Sequence, residues 1–125
     1  MENPFEAHPT IFVVDDDLDI AKMLSVILQM NLFDAKPYDL PREALAAARA
    51  LAPDYLISDI SMPEMNGIEL AIHMREEMPS CKVLLFSGEG HSSSLLEDAR
   101  AAGHSFALVQ KPIRPEDLIA ALKEL

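Results

Sequence analysis

Cysteine occurs once in this 125-residue chain, at Cys81, so no internal disulfide can form and nothing points to an oxidising compartment. Basic residues are scarce: 10 Lys and Arg stand against 21 Asp and Glu, a formal net charge of −11. A surface of that sign repels phosphate backbones and anionic lipid, which argues against unaided binding to nucleic acid or membrane. No apolar run approaches the ~18 residues that a membrane helix requires. The first nine residues carry two glutamates, a histidine and two prolines, without the basic and apolar regions of a signal peptide. The expected location is cytoplasmic. His8, His73, His91 and His104 show no i, i+4 pair or metal-ligand spacing. Gly88-Glu89-Gly90 is too short and wrongly placed for a nucleotide loop. Cys81 has only Lys82 as an adjacent cation and reads as an inert thiol.

What is present is alternation. Thr10 to Val14 is a short, continuously apolar and β-branched run, the pattern of a strand buried on both faces. A helix is predicted from Leu18 to Met30, with Ile20, Met23, Leu24, Ile27 and Leu28 on one face and aspartates before it as caps. Asp34 to Tyr38 reads as a weak strand, and Pro37, which cannot donate to a ladder, assigns it to a sheet edge. Pro41 opens a helix to about Leu51. Tyr55 to Ser58 is a second buried strand, and Gly67 to about Met78 is helical until Pro79. Lys82 to Phe86 is a strand, followed by a loop over Ser87 to Gly90 that is expected to be mobile. Ser92 to Ala102 reads as a helix, Phe106 to Val109 as the last strand, and Pro115 begins the last helix. Five strand–helix pairs in succession predict an α/β fold, a parallel sheet with right-handed crossovers and helices on both faces.

In such sheets ligands bind beyond the carboxyl ends of the strands. Asp15 and Asp16 follow the first strand, Asp59 the third, Ser87 the fourth, and Lys111-Pro112 the fifth. Each alone reads as a turn, cap or surface residue. Together they bring three carboxylates, a hydroxyl and an ammonium to one rim. Two unit charges 4 Å apart repel by about 4 kcal/mol at an effective dielectric near 20, so the carboxylates call for a cation. A hard divalent ion such as Mg²⁺ suits oxygen ligands of this kind. The remaining parts suit phosphoryl transfer: Asp59 as nucleophile, Lys111 against equatorial charge, Ser87 as hydrogen-bond donor.

Four stretches carry a resemblance: Ile11 to Asp17, Pro53 to Asp59, Met62 to Gly67, and Lys111-Pro112. In this order and spacing the chain resembles the receiver domain of bacterial response regulators, CheY-like, over residues 10–125, with residues 1–9 as an N-terminal tail. The resemblance implies a flavodoxin-like (βα)5 fold with strand order 2-1-3-4-5. It implies Asp59 as phospho-acceptor, Mg²⁺ held by Asp16, Asp59 and the backbone carbonyl of Ser61, and Asp15 holding the metal's waters. Ser87 takes the switch hydroxyl position, and Lys111 the place of the lysine that contacts the phosphoryl group, with a cis Lys-Pro bond. The implied donor is a phosphohistidine on a sensor histidine kinase or histidine phosphotransfer protein, or a small acyl-phosphate. The implied output is contact with a downstream protein target. The chain would be no conventional enzyme but a switch that assists its own phosphorylation and dephosphorylation, monomeric or weakly dimeric through its last two helices. The family's switch aromatic, three residues before the lysine, is here Leu108. Phe106 lies two residues earlier, on the same sheet face by strand alternation.

Two other readings share features with this one. A haloacid-dehalogenase-type phosphatase also uses a strand-end Asp, but wants a second Asp where this chain has Ser61. A pseudo-receiver would act by contact without phosphorylation. The intact Asp15, Asp16, Asp59 and Lys111 argue against it, and Leu108 argues for it.

Overall fold

The structure, a computed structural model, describes residues 8–88 and 93–125. The elements run β1 (Thr10–Val14), α1 (Leu18–Met30), β2 (Asp34–Tyr38), α2 (Pro41–Ala50), β3 (Tyr55–Asp59), α3 (Gly67–Glu77), β4 (Lys82–Ser87), α4 (Ser93–Ala101), β5 (Ala107–Gln110) and α5 (Pro115–Lys123). All strand pairs are parallel, in the order β2-β1-β3-β4-β5. This is the flavodoxin-like arrangement expected.

Side-chain alternation divides the core into two layers. Ile11, Val13, Ile57, Leu84 and Phe86 face α1 and α5, where Ala21, Leu24, Leu28, Leu118 and Leu122 are buried. Phe12, Val14, Leu56, Val83 and Leu85 face the other helices, which bury Ala44, Leu45, Leu70, Met74 and Ala99. With both faces covered, β1, β3 and β4 are apolar almost throughout; Thr10 and Lys82 open β1 and β4, and the buried polar residues Ser58, Asp59 and Ser87 stand at the carboxyl ends of β3 and β4. β2 pairs only with β1, so Pro37, in register with Val13, sits at the edge as its missing donor requires.

Boundaries differ from expectation by a residue or so. β3 and β4 each run one residue further, to Asp59 and Ser87, because both polar residues stay paired in the ladder. β5 begins at Ala107 rather than Phe106 and ends at Gln110, which pairs with Ser87. The last strand lies at the other edge and is mostly exposed, so apolar character does not mark its limits. α2 stops at Ala50 because Leu51 is extended, and α3 stops at Glu77 with Met78 as its cap. α4 ends at Ala101, before a left-handed Gly103 at φ +94°. The tail up to Ala7, the loop from Glu89 to His91, and Ser92 as a helix start lie outside the described residues.

The turn from β3 to α3 closes back on its own strand. Asn66 caps α3 by accepting from the Glu69 N–H at 2.8 Å, and Glu69 returns a carboxylate oxygen to the Asn66 N–H at 3.3 Å. The Gly67 N–H donates to the Ile60 carbonyl at 2.8 Å. A methyl on Gly67 would overlap the Asp59 carbonyl oxygen, with Ile60 Cα only 2.9 Å away. Backbone, not a movable side chain, fills that space. Gly67→Ala is therefore expected to lose stability at the upper end of the about 1–3 kcal/mol typical of overpacking. Urea unfolding measures it, and a midpoint equal to the parent's would refute so tight an approach.

Candidate functional site

Asp15, the first residue after β1, is 1% exposed. Its amide donates to the Tyr38 carbonyl at 3.0 Å, and its Oδ1 accepts from the Asp17 N–H at 2.8 Å. Asp17 in turn accepts from the Asp19 N–H at 3.0 Å and caps α1. The turn thus points one carboxylate inward, uses another as helix cap, and leaves Asp16 between them exposed. Asp59 ends β3 at 5% exposure. Carboxylate oxygens of Asp15, Asp16 and Asp59 lie within 4.8 Å of one another.

Lys111 enters from the end of β5. Its backbone N–H donates to the Ser87 carbonyl at 2.8 Å, extending the ladder between the two strands. Its Nζ lies 3.2 Å from Asp59 Oδ2 and 3.4 Å from Asp15 Oδ2, and 5.0 Å from the centroid of the buried Phe86 ring. The Lys111-Pro112 bond is cis, as expected. Ser87 is buried at the end of β4, beside these groups. Ser61 is exposed in the β3–α3 turn, two residues beyond Asp59.

Charge in the pocket is unbalanced. Burial raises the Asp15 carboxyl above its ordinary range; the Asp17 amide and Lys111 pull it down, and Asp59 adds a further push upward. For Lys111, burial favours loss of the proton, but the hydrogen bond and charge of Asp59, with the charge of Asp15, outweigh it and leave the ammonium above its usual value. Three converging carboxylates against one ammonium leave room for more positive charge. The donor set is entirely oxygen, with two buried carboxylates and one open to solvent, and it fits a hard divalent ion such as Mg²⁺.

The two candidate switch side chains stand apart from this cluster. Leu108 is 40% exposed, in register with Leu85. Phe106 is half-buried against the layer shared with α3, where the Arg75 guanidinium lies 4.1 Å from its ring centroid and the His104 ring stacks at 6.3 Å. Sequence reading missed Arg75, because a lone cation on a helix carries no signal until its aromatic partner, 31 positions on, is placed. It also gave Phe86 no part beyond ending its strand, although period-2 alternation from Leu84 puts its ring on the face that Lys111 crosses.

A doubly wound parallel sheet thus carries an acidic, lysine-anchored pocket at its carboxyl edge. The response regulator receiver domain family matches over residues 11–123, and the chain belongs to it. It is 29% identical to the chemotaxis protein CheY of Thermotoga maritima over 116 residues, covering 92% of this chain and 95% of that one. It is also 29% identical to the probable transcriptional regulatory protein TcrX of Mycobacterium tuberculosis, covering 93% of this chain and 49% of that protein. The chain spans about half the length of TcrX and of the DNA-binding response regulators MtrA that it also matches. Among solved structures, chemotaxis protein CheY4 of Vibrio cholerae superposes with a TM-score of 0.80 at 30% identity, covering 94% of this chain and 98% of that one. The beryllofluoride-activated DrrB receiver domain gives 0.78 at 28% identity, covering 94% and 96%. Domains of this family are signalling modules rather than conventional enzymes; they typically bind Mg²⁺ at such an acidic cluster and work with histidine kinases or phosphotransfer proteins and downstream targets.

The raised Asp15 carboxyl has a consequence for stability. The folded state holds that proton more tightly than the unfolded state, so Asp15 favours folding at low pH and costs stability once pH rises past its folded value. Asp15→Asn keeps an oxygen for the Asp17 N–H and removes the charge. At neutral pH without divalent cations its unfolding midpoint is expected a few degrees above the parent's, while the gain produced by added Mg²⁺ shrinks. Calorimetry with chelator and with Mg²⁺ checks both; a lower midpoint in chelator contradicts the charge argument.

Proposed function

We propose that this chain is a phosphorylation-dependent switch that takes a phosphoryl group on Asp59 from a sensor histidine kinase or histidine phosphotransfer protein and passes the signal on by contact with a protein target. The unit proposed is residues 10–125, with residues 1–9 as a tail, and on this reading it works in the cytoplasm. The observation that carries the reading is the bridging of Asp15 and Asp59 by one ammonium, at 3.4 and 3.2 Å.

In the proposed reaction an Asp59 carboxylate oxygen attacks phosphorus in line. The new O–P bond forms as the P–N bond to the donor histidine breaks, and the imidazole nitrogen keeps the electron pair and takes a proton. Asp16, Asp59 and the Ser61 carbonyl would hold Mg²⁺, with Asp15 holding its waters, and the ion would supply charge neutralisation on the phosphoryl oxygens. Lys111 holds Asp59 before transfer and pairs with a phosphoryl oxygen afterwards. The Ser87 hydroxyl donates to another. By these contacts the chain assists its own phosphorylation and, when water replaces the histidine, its dephosphorylation. The donor has an approach along α1, which exposes Met23 beside an apolar groove of about 450 Å³ that Lys111 borders.

Phosphorylation adds roughly −1.5 to −2 charges and three acceptor oxygens at Asp59. Ser87 and Lys111 are drawn toward them, and the backbone bond between these residues moves β4 and β5 together. Leu108 cannot act as an aromatic switch. Phe106 responds only by leaving Arg75 and His104, and at this half-buried site the worth of the Arg75 contact lies between about 0.5–1 kcal/mol, that of an exposed pair, and about 2 kcal/mol, that of a desolvated one. The absence of an aromatic at Leu108 is the one feature favouring the second reading, an interaction module that acts without phosphorylation.

Acetyl phosphate with Mg²⁺ is expected to add a single phosphate to the parent and none to Asp59→Asn, read by intact mass. Full labelling of the mutant overturns the acceptor assignment. Once a partner is in hand, its affinity should change with beryllofluoride. An affinity that stays the same selects the phosphorylation-independent module.

A further inference from the structure

Among the described residues the buried polar side chains are Asp15, Ser25, Ser58, Asp59 and Ser87. Three of them belong to the pocket, and Ser25 bonds back to the Ala21 carbonyl within α1. Ser58 has no part in the reaction set out above. It is 0% exposed, between Val14 of β1 and Leu85 of β4, on a face otherwise made of Phe12, Leu56 and Val83. An apolar side chain would bury there with no desolvation cost, whereas a hydroxyl gives up water for whatever bond the site offers.

The bond it makes is to the site itself. Ser58 Oγ donates to the carbonyl oxygen of Asp59 at 2.9 Å. The N–H end of the same peptide unit, that of Ile60, donates to the Phe86 carbonyl at 3.1 Å. The Asp59–Ile60 peptide plane is thus fixed at both ends, and Gly67 closes on its carbonyl from a third side. That plane and the β3 ladder before it lie on the two sides of the Asp59 Cα–C bond, so fixing the plane fixes the ψ torsion there and with it the direction in which the Cα–Cβ bond, and the carboxylate, leave the chain.

We infer that Ser58 is a positioning residue for the phospho-acceptor, its hydroxyl setting the peptide plane from which the Asp59 carboxylate projects. The inference rests on the reading of Asp59 as acceptor. Ser58→Ala is expected to fold with an unfolding midpoint within a few degrees of the parent's, since losing the buried hydroxyl offsets part of the cost of leaving the Asp59 carbonyl without that donor. Its saturating rate of phosphorylation by acetyl phosphate should nevertheless fall roughly tenfold, as small misplacements of reacting groups do, with little change in the half-saturating concentration. Ser58→Thr keeps the hydroxyl on a strand-favouring side chain and should recover most of the rate. Independently of activity, the Asp59 carbonyl ¹³C resonance in protein free of Mg²⁺ and phosphate should move upfield in Ser58→Ala and return in Ser58→Thr.

An Ala variant with the parental rate, a stationary carbonyl resonance, or a Thr variant no faster than Ala each overturns the inference while leaving Asp59 as acceptor. A parent that takes no phosphate on Asp59 overturns both.

Discussion

Repulsion among Asp15, Asp16 and Asp59 is the constraint around which the carboxyl edge of this sheet is organised. Carboxylates at such separations are unfavourable on their own, and burying two of them removes the water that would screen the charge. The fold sustains the arrangement because β1 and β3 are central strands, paired on both sides and covered on both faces, so the strand ends cannot drift apart. Lys111 offsets part of the charge, and the Asp17 amide another part. What is left over is negative charge that a hard cation would relieve.

The frame was legible because apolar runs buried on both faces have few alternatives. Thr10 to Val14 and Leu18 to Met30 have the limits expected from periodicity, and Pro37 marks its edge strand. The pocket was legible for a related reason: once strand ends are known, the residue after each one is placed at the rim. β5 was less clear because an edge strand with an exposed pattern has no hydrophobic boundary, and its register comes from pairing with β4. Contacts set by tertiary packing were not legible at all. The Arg75–Phe106 pair, the Phe86 ring near Lys111 and the closure of Gly67 onto Asp59 each join residues whose neighbourhood local sequence does not encode.

The β3–α3 turn does more than connect elements. Its capping box fixes where α3 begins, and that start presses Gly67 against the backbone at the end of β3. Any shift of α3 along its axis is therefore felt at the Asp59–Ile60 peptide, and the reverse holds as well. Arg75 lies on the same helix and grips Phe106 just before β5. α3 thus touches both the carboxylate side of the pocket and the approach to the strand that carries the ammonium.

That strand is held differently from the others. β5 pairs with β4 alone and is largely exposed, whereas the strands bearing the carboxylates lie at the centre of the sheet. In terms of native-state fluctuation, edge elements with little buried apolar surface open at lower free energy than the core. The anion-bearing half of the pocket therefore belongs to the most protected part of the domain and the cation-bearing half to one of the least. Amide hydrogen exchange should register this as earlier loss of protection at Val109, whose N–H faces β4, than at Val13 and Ile57, with the tether of Lys111 able to slacken while the carboxylates keep their places.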